Sequence, residues 1–204
     1  MIKKKLDYKV QKEIRTWDIN IPTGVLKNLK ETIKSKWINT GPRELEFRNL
    51  IKKRFKSKYA VATNSGTSSL RAALAVLGVG PGDEVISTAY TWLATNTAVL
   101  EQGAKPIFAD IDYDDLNISV DDIESKITKK TKAIICVHYA GNPVNLDKLN
   151  KISKHYNIPI IEDSAHAMGS EYKGKPIGSS RNICCFSFQC VKIVTCGDGG
   201  AITC

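Results

Sequence analysis

Several features that would assign this 204-residue chain to a special class are missing from its sequence. No apolar run approaches the ~20 residues of a membrane-spanning helix, so no membrane association is expected. The basic start at residues 1–5 is not followed by the apolar stretch of a secretory signal, and we therefore expect a cytoplasmic location. Hydrophobic residues make up 42% and charged residues 25% of the chain, which is ordinary for a globular protein.

The six cysteines also lack a metal-binding pattern. No Cys-x-x-Cys pair occurs, and the spacing of the cysteines fits no zinc site, so no metal ion is expected. Cys184 and Cys185 lie in an apolar run that is typical of a strand. Because cysteine acts there as a small hydrophobic residue, we expect buried, reduced thiols.

Basic residues are concentrated at the start of the chain. Residues 1–58 contain 17 Lys and Arg against 6 Asp and Glu, whereas residues 59–204 contain 13 against 15. Such an excess can attract nucleic acid or free phosphates. No nucleic-acid-binding motif accompanies it, so we favour a solvated helix face and expect no nucleic-acid partner.

From residue 60 onward, the apolar pattern alternates between short strands and helices. Strands are predicted at residues 60–63, 84–88, 105–109, 132–138, 158–161, 183–188 and 200–204. Helices are predicted at residues 25–37, 44–55, 65–77, 91–101, 120–127 and 146–156. The alternation predicts an α/β fold of three layers, in which helices cover both faces of a mainly parallel sheet. Residues 1–40 are more polar and predict a separate N-terminal helical segment.

Ligands of such sheets bind at the carboxyl ends of the strands, and two small motifs follow strands there. Asn64-Ser65-Gly66-Thr67-Ser68 precedes a helix, whose free N–H groups and hydroxyls could bind a phosphate, although an ordinary helix cap uses the same residues. Tyr90-Thr91-Trp92 supplies an aromatic ring that could stack on a flat ligand or could simply pack.

Two further motifs bring charged side chains to strand ends. Asp163 follows an apolar strand and could pair with a protonated pyridine nitrogen or cap a helix, and His166 comes three residues later. Lys192 ends the apolar run that contains Ser187, and a Gly-rich turn follows. Burial of a lysine lowers its pKa, and the neutral amine can then form an imine.

A dinucleotide-binding oxidoreductase is the main α/β alternative. Its glycine fingerprint has one near match, Gly78-Val79-Gly80-Pro81-Gly82. That segment lacks the second half of the fingerprint and precedes a strand instead of opening a helix, so the required context is absent.

In their order along the chain, the four motifs resemble the DegT/DnrJ/StrS family of sugar aminotransferases. The resemblance runs from about Thr40 to the end and includes the connecting segments 80–86 and 103–106. It implies a fold-type I enzyme that uses pyridoxal 5'-phosphate (PLP) and transfers an amino group to keto sugars, mostly nucleotide-linked. Glutamate is the amino donor that we expect, and a homodimer is the expected assembly.

The resemblance also implies roles for individual residues. Lys192 matches the lysine that holds PLP as a Schiff base and moves a proton between the substrate carbon and the cofactor. Asp163 matches the partner of the pyridine nitrogen, and Trp92 matches the residue stacked on the ring. His166 matches a position, often Gln or His, near the ring oxygen.

The remaining matched residues concern the phosphate of PLP. Thr67 and Ser68 match phosphate-binding positions, and Gly66 allows a close approach of the backbone. Ser187 matches a residue whose hydroxyl contacts the same phosphate. Lys192 argues against relatives that carry His at this position and act as dehydratases.

Length is the point at which the chain departs from the family. Family members are about twice the size of a single domain and have a C-terminal small domain. This chain stops at residues 201–204, inside a strand-like run, so we expect an N-terminal fragment with 41–204 as its PLP-binding large domain. In the family, the missing part helps to close the substrate site and a neighbouring subunit contributes to it. A catalytically incomplete remnant that keeps only the fold therefore stays open as the alternative.

Overall fold

The computed structural model describes residue 19 and residues 21–204. The first part of the predicted segment 1–40 therefore lies outside the described residues, whereas residues 21–40 are described. The helices are α1 (Val25–Lys34), α2 (Pro42–Phe55), α3 (Gly66–Val76), α4 (Leu93–Glu101), α5 (Val120–Lys126) and α6 (Leu146–Tyr156). The strands are β1 (Ala60–Thr63), β2 (Glu84–Thr88), β3 (Lys105–Ala109), β4 (Thr131–Val137), β5 (Ile160–Asp163), β6 (Glu171–Tyr172), β7 (Lys175–Pro176), β8 (Ile183–Ser187) and β9 (Gly200–Thr203).

Seven of the strands form one sheet in the order β1-β9-β8-β5-β4-β2-β3. All neighbouring pairs from β8 to β3 are parallel, and β9 runs antiparallel to both β8 and β1. The prediction of a mainly parallel sheet is confirmed. The hairpin of β6 and β7 was not predicted, because two residues per strand are too few to show an alternating pattern.

Helices cover both faces of this sheet, which confirms the three predicted layers. Along a strand, successive side chains point to opposite faces. Accordingly, Val85 packs in a core with residues of α3 and α4, whereas its neighbour Ile86 packs in a second core with residues of α5 and α6. Ile135 and Ile134 of β4 divide between the same two cores.

A third core lies under α2 at the other end of the sheet. Phe55 of α2 stacks on Phe186 of β8 with ring centroids 4.5 Å apart. Cys184 packs in this core, and Cys185 points to the opposite face of β8. Both cysteines are buried and carry free thiols, as expected.

The N-terminal helices carry the basic residues. Lys52, Lys53 and Arg54 in the last turn of α2 are exposed, in agreement with the predicted solvated face. Helix α1 has no buried residue, and an ion pair from Arg43 to Glu31 (2.7 Å) links it to α2. Within residue 19 and residues 21–204, no helix combines the length and apolar character needed to cross a bilayer.

Two predicted boundaries near the sheet's carboxyl edge were wrong by two residues, and others there differ by one. Strand β5 was predicted at residues 158–161 but runs from Ile160 to Asp163, because its two carboxylates have partners that let them continue the strand. Helix α4 was predicted from residue 91 but begins at Leu93, with Trp92 as its extended N-cap residue. Both shifts bring a predicted site residue to the end of an element.

Candidate active site

One cavity of about 350 Å³ opens at the carboxyl ends of β2, β4, β5 and β8. It brings together seven of the eight residues that the sequence predicted for the site. The predicted residues that line it are Gly66, Thr67, Trp92, Asp163, His166, Ser187 and Lys192. Ser68 does not line the cavity, because its amide donates to Ser65 Oγ (3.1 Å) and its hydroxyl accepts from the same atom (3.1 Å).

The N-terminus of α3 forms one wall of the cavity. Ser65 caps this helix, and the first-turn N–H groups of Gly66 and Thr67 have no acceptor within the helix. A Cβ atom at Gly66 would lie 2.7 Å from the Cβ atom of Ser187, closer than real side chains approach. Glycine therefore lets the helix N-terminus and the Ser187 hydroxyl come together, and this combination is suited to an anion.

Asp163 is held at the floor of the cavity, where its exposed fraction is 5%. Its Oδ2 accepts a hydrogen bond from Thr95 Oγ1 (2.8 Å), and its Oδ1 accepts from the backbone N–H of Ala165 (3.2 Å). A carboxylate has about four acceptor positions, so two donors leave capacity for a ligand. Sequence reasoning missed Thr95, which is buried in the first turn of α4.

Lys192 lies in the turn after β8 and is half-buried beside the cavity. Burial lowers the pKa of its amine, and the nearby Asp163 carboxylate partly opposes this effect. This lowering of the Lys192 pKa agrees with the prediction from the sequence. A lowered pKa increases the neutral fraction of the amine at a given pH, and only the neutral amine is nucleophilic.

His166 and Trp92 complete the polar and aromatic parts of the site. The Nδ1 atom of His166 is buried and has no partner in the described part of the chain, so it is available to a ligand. Burial and the Lys192 charge lower the pKa of His166, which favours the neutral ring. Trp92 stands at the rim with 76% of its surface exposed.

A buried polar network lies directly behind the site, and sequence reasoning also missed it. Glu162 points to the opposite face of β5 from Asp163 and is fully buried with His138. Since His138 Nδ1 accepts from the Val144 N–H (3.1 Å), its proton is on Nε2, which donates to Glu162 Oε2 (3.0 Å). Ser180 and Asn182 donate to the other Glu162 oxygen, each at 2.7 Å.

A mainly parallel α/β/α sheet with an amine, a carboxylate and an anion cradle around one cavity defines the class of PLP-dependent transferases. The model of the DegT/DnrJ/EryC1/StrS aminotransferase family matches residues 21–204. The chain belongs to this family, and its members are PLP-dependent.

Individual relatives support the same family. An uncharacterized protein of Methanocaldococcus jannaschii is 47% identical over 85% of this chain and 45% of its own length. The UDP-4-amino-4-deoxy-L-arabinose–oxoglutarate aminotransferase of Shewanella sediminis is 44% identical over 85% of this chain and 44% of its own length. The chain therefore spans about half the length of these relatives.

A solved structure shows the same architecture. The protein Spr1654 of Streptococcus pneumoniae, solved in a PLP form, superposes with a TM-score of 0.88 at 36% identity. The match covers 93% of this chain and 52% of that protein. The same protein has also been solved in a form with pyridoxamine 5'-phosphate (PMP), the aminated form of PLP.

The residues of the cavity fit PLP. The aldehyde of PLP would require a neutral amine, which the lowered pKa of Lys192 favours, and its phosphate would suit the helix N-terminus at Gly66 and Thr67 beside the Ser187 hydroxyl. The ring nitrogen requires a carboxylate such as Asp163, and the orphaned Nδ1 of His166 suits a polar ring substituent. These individual roles remain predictions.

The close approach at Gly66 yields a direct prediction. Gly66→Ala is expected to weaken PLP binding by on the order of tenfold, because a forced contact of this kind costs ~1–3 kcal/mol. Titration of the full chain with PLP measures the effect. Gly80→Ala is the matched control, since a Cβ atom at Gly80 would meet no atom within 4 Å. Unchanged affinity in the Gly66 variant would show that the cradle is not the phosphate site.

Proposed function

We propose that this chain carries the cofactor-binding part of a PLP-dependent aminotransferase that acts on nucleotide-linked keto sugars with glutamate as amino donor. The observation that carries the proposal is the convergence of Lys192, Asp163, His166 and the α3 N-terminus on one cavity. Residues 41–204 are proposed as the cofactor-binding domain, and 1–40 as a separate N-terminal segment. A cytoplasmic location and a homodimer belong to the same proposal.

Different residues of the cavity would have different roles in such an amino-group transfer. When bound, PLP supplies an electron sink that stabilises negative charge on the adjacent carbon of the amino donor or acceptor. Lys192 would hold the cofactor through its amine, and its place beside the cavity would let the same amine move a proton at that carbon. The Asp163 carboxyl group lies on the cavity floor, where it would pair with a protonated ring nitrogen.

The substrate classes rest on relatives. The name of the Shewanella sediminis protein includes a UDP-linked amino sugar and oxoglutarate, the keto acid that glutamate becomes when it gives up its amino group.

Single-turnover assays with the full chain test the proposal in two stages. PLP-loaded protein mixed with L-glutamate is expected to form one equivalent of 2-oxoglutarate per bound cofactor. Addition of a UDP-linked 4-keto sugar is then expected to give the amino sugar and to regenerate PLP. Binding of PLP without any 2-oxoglutarate would refute glutamate as donor for this chain. Absence of PLP binding would refute the whole proposal.

A further inference from the structure

We propose that Thr95 is a positioning residue for Asp163 and that Thr91 extends this contact into a relay of hydroxyl groups. This inference rests on the proposed function, because Asp163 matters as the partner of the cofactor ring. Thr95 lies in the first turn of α4, is fully buried, and donates from Oγ1 to Asp163 Oδ2 at 2.8 Å. The two residues are 68 positions apart in the sequence.

The direction of the relay follows from proton counting. The Oγ1 atoms of Thr91 and Thr95 lie 2.9 Å apart. A hydroxyl has one proton, and Thr95 gives its proton to the Asp163 carboxylate, which only accepts when ionised. Thr91 must therefore donate to Thr95, and such chains of hydrogen bonds strengthen the final donor.

Other threonines of this chain show what a helical threonine does by default. A buried hydroxyl in a helix ordinarily bonds a carbonyl three or four residues earlier. Thr97 on the same helix does so, donating to the Ala94 carbonyl at 3.3 Å, and Thr32 on α1 donates to the Asn28 carbonyl at 2.8 Å. Thr95 instead donates to a carboxylate on another element, so its hydroxyl is directed toward the site.

The contact fixes how the Asp163 carboxylate can turn. Thr95 holds Oδ2 while the Ala165 N–H holds Oδ1, so rotation about the last side-chain bond would break both hydrogen bonds. The remaining acceptor positions of Asp163 are consequently kept at the cavity. Loss of the Thr95 hydroxyl leaves one donor, and the carboxylate is then free to reorient away from a ligand.

A pair of nearly isosteric variants tests this role in the full chain. Thr95→Val replaces the hydroxyl by a methyl group, and the apparent Kd for PLP is expected to rise about ten- to a hundredfold, as for a lost hydrogen bond to a charged group. Thr95→Ser keeps the hydroxyl and is expected to stay within about threefold of the wild type. Thr97→Val on the same helix is the control and is expected to bind PLP like the wild type.

A spectroscopic readout separates positioning from general damage. A protonated ring nitrogen withdraws electrons from the C=N nitrogen that would join PLP to Lys192, and so lowers the pKa of that nitrogen. A weaker contact with Asp163 makes the ring nitrogen less cationic. The pH at which the visible band of bound PLP is half converted is therefore expected to rise. The midpoint should rise in Thr95→Val and return in Thr95→Ser. Thr91→Val, which leaves the Asp163 contact in place, should shift Kd and midpoint in the same direction by less.

The outcomes distinguish this inference from the proposed function. If the wild type binds PLP but Thr95→Val keeps its Kd and midpoint, the positioning role is wrong and the proposed function stands. A Thr95→Ser variant as weak as Thr95→Val overturns the role too, because the hydroxyl is then not the active feature. If Thr91→Val behaves as the wild type, the relay is refuted. If the wild type itself fails to bind PLP, the proposed function is what fails.

Discussion

Replacement of Lys192 by alanine is expected to abolish the visible absorbance of the PLP-loaded chain. Among residue 19 and residues 21–204, Lys192 is the one lysine that lines the cavity, so no other described side chain there can attach the cofactor through an amine. Glutamate turnover is expected to fall by at least about 10²–10⁴-fold, the usual contribution of a positioned proton-transfer group. Absorbance spectra and 2-oxoglutarate assays on the full chain measure both effects.

Lys154→Ala is the control for this prediction. Lys154 is exposed in the last turn of α6, away from the cavity, and its removal is expected to leave spectrum and turnover unchanged. Added methylamine offers a further check, since a small amine can attach to PLP in the space left by the lysine and restore part of the band. Full turnover in Lys192→Ala would contradict the assignment of this residue.

The second large effect is expected on stability, from His138→Ala. The variant removes the Nε2 donor from Glu162 and leaves a buried carboxylate with two partners in place of three. Leaving a buried charged group without one of its hydrogen-bond donors costs ~1–3 kcal/mol or more in free energy of unfolding, and the cavity left by the ring adds to this loss. Urea unfolding at pH 7 measures this loss. His155→Ala, at an exposed histidine of α6, is the control and is expected to change stability by less than about 0.5 kcal/mol.

The pH dependence of this loss identifies its electrostatic cause. Burial raises the pKa of Glu162, but the hydrogen bonds from His138, Ser180 and Asn182 outweigh it, so the pKa lies below its ordinary value of 4.5. A depressed folded pKa contributes stability above the unfolded pKa, and that contribution is lost as the pH falls through the folded value. In His138→Ala the carboxylate takes up a proton more readily. The difference from the wild type should therefore shrink below about pH 4.5. A constant difference across pH would point to lost packing alone.

Much of the fold could be predicted from local patterns. Apolar patterns located β2, β3 and α6 at their observed residues. Helix α6 buries one regular set of apolar side chains, whereas β2 is a short apolar run that is buried on both faces. The carboxyl-end rule then placed Asp163 and Lys192 in a common site before any contact was known. The rule could be applied because the sequence motifs that contain Asp163 and Lys192 each follow a predicted strand.

The parts that were missed depend on contacts between distant residues. Strand β5 was ended too early because Glu162 and Asp163 look like loop residues until their partners His138 and Thr95 are known. The antiparallel insertion of β9 between β8 and β1 likewise has no local signature. Sequence spacing cannot reveal a hydrogen bond across 68 residues, so the hydroxyl relay became visible only in the folded chain.

Reductive trapping of PLP on the wild-type chain tests the central claim most directly. The full chain is incubated with PLP, reduced with sodium borohydride and digested, and the modified peptide is identified by mass spectrometry. We expect one phosphopyridoxyl group per chain, on the peptide that contains Lys192. A group found mainly on another lysine, or no modification at all, would contradict the assignment of this cavity as a PLP site.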